Sequence, residues 1–379
     1  MDNVTHSLVG LAAAKAGLER VSPYSTAVCV LAANAPDCDL VGYLGGRWFG
    51  FYHHRGITHS IVGVVALALL LPTIFYALDY WRARREGRPV RVRWGPLALV
   101  ALLLTASHPF LDWTNTYGVR PLLPWDGRWF YGDFAFVVEP FLWLVLGVMG
   151  FTLTAGTRRR AVVWTIWAVF AFAVMLVAPF VRGVQIPLIW PALWLLGAAT
   201  AYHLWRAKAA AQYGQLIARV TLVLLAGYLG LAWVLHRRAE SLVQTRLQQI
   251  AARNGETPGK TAAGSLPGNP FRWVGLGETD RAAYRFPVQL FSDSEAAPER
   301  FAKPEGAAAK IVTQALAQDE RARIWANFAR FPAARVQGDC LTETIVQFAD
   351  LRFAAPGDGR SGAFAPEIPV SCSPEKSSH

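Results

Sequence analysis

The chain has 379 residues, enough by length for two or three domains, but 53% of them are hydrophobic and 15 are tryptophan, which excludes an ordinary soluble protein. A net charge of +11 would suit nucleic acid, yet the arginines gather in short loops between apolar runs, as in cytoplasmic membrane loops. A nucleic-acid patch is the rival reading of the first such loop; no nucleic-acid partner is expected.

Two short apolar segments come first, at about 4–17 and 24–35, and no signal-peptide pattern precedes them. Runs near the ~20 residues that cross a bilayer follow at about 61–80, 96–112, 134–155, 161–180, 186–204 and 218–236. The first long run leads into "WRARREGRPVRVRW" and the third into "TRRR". Placing the arginine loop 81–95 inside puts "HHRGITH" and "SHPFLDWTNTYG" together at the outer face. The same threading carries everything after His236 outside, although Arg237 and Arg238 run against the charge rule.

Beyond the last span, residues 241–270 read as a helix extension and a Gly/Pro/Ser linker. The stretches "FRWVGLGE", "AAYRFPVQLF" and "ETIVQFADLRF" read as strands, and 308–330 carries Ile311, Ala315, Ile324, Trp325 and Phe328 at helical spacing. The expected class is mainly α: a polytopic helical membrane domain over 1–240, then a small α+β extramembrane domain over 271–379 with a polar tail. Cys340 and Cys372 are the cysteines of that second domain, and an oxidising outer compartment would let them pair; a buried Cys340 beside a tail cysteine is the alternative.

Five of the eight histidines, His6, His53, His54, His59 and His108, fall in the first 112 residues with Asp37, Asp39 and Asp112. His108 and Asp112, four apart, share a helix face, across a proline expected to kink that helix. Asp37 and Asp39, two apart, aim the same way if the loop is extended. His59 begins a span, where the helix dipole favours the neutral, metal-binding imidazole. Imidazole plus carboxylate is the ligand set of catalytic zinc, and also of manganese and iron(II). Seven or so ligands suffice for one or two ions. Against this stand blander readings: His53 as an interfacial residue, Asp37 and Asp39 as a solvated helix end, and Cys38 between them as a small buried residue. Downstream, Arg120 and Arg128 are anion binders or interface anchors, and Glu139 is a base, a partner of a ligand histidine, or a mate for Arg120.

"NVTHSLVG", "APDCD", "HRGITHS" and "HPFLDWTNTYGVRPLLP", in this order, resemble the membrane-bound metal-dependent hydrolases, also called LexA-binding inner-membrane-associated hydrolases. The resemblance covers about 1–150, with "NPFRW" and "DLRF" as weaker support further on. It implies metal-related roles for His6, Asp37, His54, His59, His108 and Asp112. The HxxxD and dispersed ligands are also similar to the zinc-dependent phospholipase C and nuclease group. That group's downstream histidine and glutamate ligands have no match here, so a trinuclear zinc cluster is not supported.

The leading expectation is a multi-pass protein of a bacterial inner membrane whose C-terminal domain is extracytoplasmic. It would hydrolyse a phosphoester or ester at the outer face, with the bilayer as partner and a phospholipid or lipid-linked compound as substrate. A divalent metal, zinc first, would activate water, with Asp39 or Glu139 as base and Arg55 or Arg120 stabilising an oxyanion. The rivals are a transporter that binds a metal or protons at the same cluster, and a non-catalytic assembly protein.

Overall fold

A computed structural model describes residues 1–182, 187, 189–292, 296–338, 344–359 and 362–370. The chain divides into two compact units, Met1–Leu40 with His54–Val234 and Ser265–Pro270, and Val41–His53 with Leu235–Gly264 and Phe271–His379.

The first unit is helical: α1 (Asn3–Lys15), α2 (Ser25–Ala32), α4 (Ile61–Glu86), α5 (Trp94–Trp113), α6 (Pro140–Thr154), α7 (Arg158–Arg182), α8 (Ile189–Arg206) and the first part of α9 (Ala209–Asn254). The Asp2 carboxylate caps α1 by accepting the Thr5 N–H. Helices α1 and α2 pack through small residues: a Cβ on Gly10 would lie 2.5 Å from the Cys29 carbonyl oxygen. Ala14, Val28, Cys29, Ala32 and Ala33 form one core with Leu97, Ala101 and Leu104 of α5. Small side chains let backbones approach where lipid supplies no hydrophobic drive between helices. The basic loop after α4 is folded back onto buried Asp79, which accepts from Arg88 at 2.8 Å and from the backbone N–H groups of Arg91 and Val92.

Helices α4, α5, α7 and α9 are long and apolar enough to cross a membrane, matching four of the six long runs. The run 134–155 gives only the 15-residue α6, about 22 Å at 1.5 Å per residue, because the chain is irregular up to Pro140. The early run 24–35 ends in α2 and continues at a 51° bend into a 3₁₀ segment, Ala35–Gly45. Helix α5 runs through Pro109 without interruption.

The second unit contains α3 (Arg47–His53), the end of α9, and two antiparallel sheets. β1 (Pro258–Leu266), β2 (Asn269–Thr279), β3 (Ala282–Gln289) and β4 (Glu299–Ala302) follow in order, and β5 (Pro332–Gln337), β6 (Thr344–Asp350) and β7 (Glu367–Val370) form the other sheet. Register pairs Trp273 with Val288 and Val346 with Ile368. The segment expected as linker supplies β1, whose Ala262 and Ala263 are buried; small residues that suggest flexibility here fit a tight sheet. The helix expected over 308–330 is two, α10 (Gly306–Gln318) and α11 (Glu320–Phe328), divided where the Asp319 side chain caps α11. Cys340 and Cys372 lie outside the described residues.

Candidate metal centre

Four elements of the first unit converge. α5 presents His108 and Asp112 one turn apart, the 3₁₀ segment presents Asp37, and a 3₁₀ turn, Ile57–His59, presents His59. That turn is pinned by α4 behind it: Ser60 caps the helix by accepting the Gly63 N–H, and Gly63 lies so close that a Cβ there would meet the Ile57 oxygen at 2.0 Å.

His59 Nε2 lies 3.4 Å from Asp37 Oδ1 and 3.4 Å from Asp112 Oδ2. His108 Nε2 lies 3.4 Å from Asp37 Oδ1 and 3.5 Å from Asp112 Oδ2. These separations are long for charge-assisted hydrogen bonds, and neither Nε2 has a hydrogen-bond partner among the described residues. They fit the edges of a tetrahedron: ligands ~2.0–2.1 Å from a central ion are ~3.3–3.4 Å apart. The two histidines and Asp112 are fully buried. His59, His108, Asp37 and Asp112 therefore form a donor set that fits a divalent cation.

The outward atoms are held as metal ligands require. His108 Nδ1–H donates to the Ala33 carbonyl at 2.7 Å, which leaves the Nε2 lone pair facing the centre. His59 Nδ1 faces Asp39 Oδ2 at 3.3 Å and the Thr58 hydroxyl at 3.1 Å. Asp112 divides its oxygens: Oδ2 faces the two histidines, while Oδ1 accepts from Arg55 Nη2 at 2.9 Å and meets the α-amino group of Met1. Counting side chains, Asp37, Asp39 and Asp112 against Arg55 leave two negative charges. Burial opposes charging His59, yet Asp112, Asp37 and Asp39 outweigh it and push its pKa up to about 10. Three carboxylates thus face His59, in a pocket that calls for a positive charge such as a bound cation supplies.

The other expected site residues take different places. His6 is buried and stacks on His108 at 3.7 Å, with Nε2 3.4 Å from Asp112 Oδ1; it braces the centre from α1. The segment is 3₁₀ rather than extended, yet Asp37 and Asp39 still converge on His59, Asp37 Oδ1 toward its Nε2 and Asp39 Oδ2 toward its Nδ1. Asp39 turns to the neighbouring elements and accepts from His54 Nδ1 at 3.1 Å, the Arg55 backbone N–H at 2.9 Å and the Thr58 hydroxyl at 3.1 Å. Asp37, Asp39 and His54 form a second, less buried group that shares Asp37 with the first. Cys38 is exposed rather than buried, since the 3₁₀ turn directs it outward.

Arg55 is buried in a left-handed backbone conformation, φ +53°. Its Nη1 donates to the Asp112 and Gly118 carbonyls and to Asn115 Oδ1, and its guanidinium covers the Tyr117 ring. It fastens a ligand rather than facing the centre. Arg120 is also buried, with its guanidinium over Trp129 at 4.6 Å. Glu139 precedes α6 and is held by Tyr228 and by backbone near Phe136, Phe141 and Gly268, none of them in the cluster. Arg128 is exposed and paired with Asp126, and His53 packs on Phe49 and Tyr52. Thr58, Asn115 and the Ala33 carbonyl are the participants that the sequence does not advertise.

All of these ligands fall in the segment that a comparison with known proteins recognises. Residues 1–186 match the YdjM inner membrane protein family. The chain is also similar to the uncharacterized protein YfhP of Bacillus subtilis (strain 168), 29% identical over 154 residues. That alignment covers 38% of this chain and 43% of the relative, so the chain spans less than half of that protein's length. No solved structure matches. The YdjM match, the apolar helices and the buried His/Asp cluster agree on an inner-membrane protein with a candidate metal centre.

Proposed function

We propose that the first unit is a membrane-embedded, metal-dependent hydrolase of a phosphoester or ester, with a phospholipid or lipid-linked compound as its substrate class. The observation that carries this reading is a set of four donors, three buried and Asp37 half-buried, with each histidine Nε2 3.4–3.5 Å from both carboxylates and neither Nε2 hydrogen-bonded among the described residues.

Asp37, His59, His108 and Asp112 would hold the ion. Four protein donors mixing imidazole and carboxylate suit zinc first, then manganese or iron(II). A bound ion supplies Lewis acidity toward water and toward an ester oxygen. The chain supplies the rest. Arg55 and Ala33 fix Asp112 and His108 so that the donors need no rearrangement on binding. Asp39 is saturated by His54, Arg55, Thr58 and His59, so it orients rather than abstracts. His54, oriented by its Nδ1–H on Asp39 beside Asp37, is the base that this reading assigns. The proposal moves the base from Asp39 or Glu139 to His54. A periplasmic position for the C-terminal domain belongs to the same proposal and rests on the basic loops.

The test is metal content of the purified protein by mass spectrometry, with hydrolysis of bis-p-nitrophenyl phosphate and a p-nitrophenyl ester. The intact protein should hold at least one divalent ion per chain and turn over one substrate; His108→Ala should lose both. Full hydrolysis after chelation would end the reading.

A further inference from the structure

Helices α6, α7 and α8 enclose an apolar cavity of about 350 Å³ in the first unit, apart from the residues of the metal centre. Its wall is aromatic: Trp143 and Phe151 on α6, Trp164, Trp167 and Phe172 on α7, and Trp194 on α8. The glycines of α6 bring the indoles in, since a Cβ on Gly147 would meet Trp167 at 2.6 Å and one on Gly150 would meet Trp164 at 2.3 Å. On each helix the lining runs over nine residues, about 12 Å from first to last at 1.5 Å per residue. The cavity is therefore a slot two turns long, within the ~300–1,000 Å³ range of small-molecule sites.

Two observations define its occupant. The slot is continuous with the lipid-facing surface of a span: Val162, Ile166 and Val169 of α7 are at least half exposed, as are Leu195 and Leu196 of α8. The second is polar. Trp194 is 94% buried, and its indole N–H has no hydrogen-bond partner among the described residues. Two of the neighbouring indoles are engaged: Trp164 donates to Thr154 at 2.7 Å and Trp143 to Asp2 at 3.1 Å. A buried N–H inside an otherwise apolar wall calls for an acceptor delivered by the ligand. Trp194 also lies near the start of α8, the end where an interfacial carbonyl would sit and the hydrocarbon would run on past Gly197 toward Tyr202.

We infer that this slot binds one acyl chain of a diacyl phospholipid, with the ester carbonyl accepting from Trp194 Nε1–H. The aromatic walls hold the methylenes and the buried Trp194 donor sets the depth of the chain. The site is independent of the metal centre and stands whether or not the first unit is a hydrolase.

Native mass spectrometry of the full-length protein in mild detergent, with lipid extraction of the same sample, tests it. The intact protein should retain one diacyl phospholipid per chain. Ala198→Phe, which fills the slot, should abolish retention. Trp194→Phe keeps the ring and removes the donor, and should weaken retention about fivefold, the size of one neutral hydrogen bond. Metal content is read in parallel: unchanged metal with lost lipid supports the slot, and lost metal with retained lipid touches only the hydrolase reading. Should Ala198→Phe unfold the protein, quenching of its tryptophans by acyl-brominated phosphatidylcholine in vesicles replaces it, with Trp194→Phe as the comparison. Equal phospholipid retention in all three proteins, retention of an isoprenoid or detergent only, or dimerisation through this face would overturn the inference.

Discussion

Asp112 does two jobs with its two oxygens, and Arg55 makes the division possible. With Oδ1 held by the Arg55 guanidinium at 2.9 Å, Oδ2 faces His59 and His108. Arg55→Met should weaken metal affinity about 10–100-fold without removing a ligand, as loss of an orienting partner does, measured by competition with a chromogenic chelator. Arg55→Lys should not restore it, because an ammonium cannot reach Asp112, Asn115 and Gly118 from one planar group. His54 gives the complementary outcome: His54→Gln should keep the metal and lower turnover by roughly 10²–10⁴. The ligands were legible as residue types, since histidine and aspartate are costly beside apolar runs and cluster there for a reason. The roles of Arg55 and Asp39 were not. Both look like free catalytic groups in the sequence, and only the folded contacts reveal that their hydrogen-bonding capacity goes to fastening ligands.

Secondary-structure elements set the spacing of those ligands more than any single contact does. The turn Ile57–His59 is fixed between the Ser60 cap and the close approach of Gly63. Gly63→Val should push the turn away from α4, since its Cβ would sit 2.0 Å from the Ile57 oxygen, backbone that cannot swing aside. The expected outcome is protein that inserts in the membrane but purifies with little metal, although no ligand has changed; a chelator assay and metal analysis check it. Full metal content in that variant would mean that the turn is free to shift. Periodicity revealed α4, α5, α7 and α9 because long apolar runs admit one reading. It misled at Ala35–Gly45 on conformation only: two aspartates two apart suggest an extended loop, the segment is 3₁₀, and both carboxylates still face His59. Pro109 sits inside α5 and removes only one backbone donor from a helix held by its neighbours, so the helix continues past it to Trp113.

At the scale of the molecule, the two units answer to different solvents. The first relies on small-residue helix contacts and a buried charged cluster; the second has the aromatic and branched core of a water-soluble fold, with Trp325, Phe348 and Ile368 buried together. Strands rich in aromatic and branched residues, β2, β3 and β6, were visible in the sequence, whereas β1 was hidden by alanine, glycine and proline that also compose linkers. Glu256, just past α9, ties that strand region together. Its carboxylate accepts from Thr279 and Tyr284 at 2.7 Å each and from Arg300 at 2.8 Å. Burial alone would raise its pKa, but these donors hold it below the usual glutamate range. A carboxyl depressed in the folded state contributes stability that is present above its unfolded pKa of ~4.3 and lost as pH falls through the folded value. Thermal unfolding of the second unit in the intact protein should therefore soften below about pH 5. Glu256→Gln should lower stability at pH 7 by about 2 kcal/mol, the range for a hydrogen bond to a charged group, and should flatten the acid limb of the profile. A variant that follows the same acid limb as the parent would assign that pH dependence to other carboxylates.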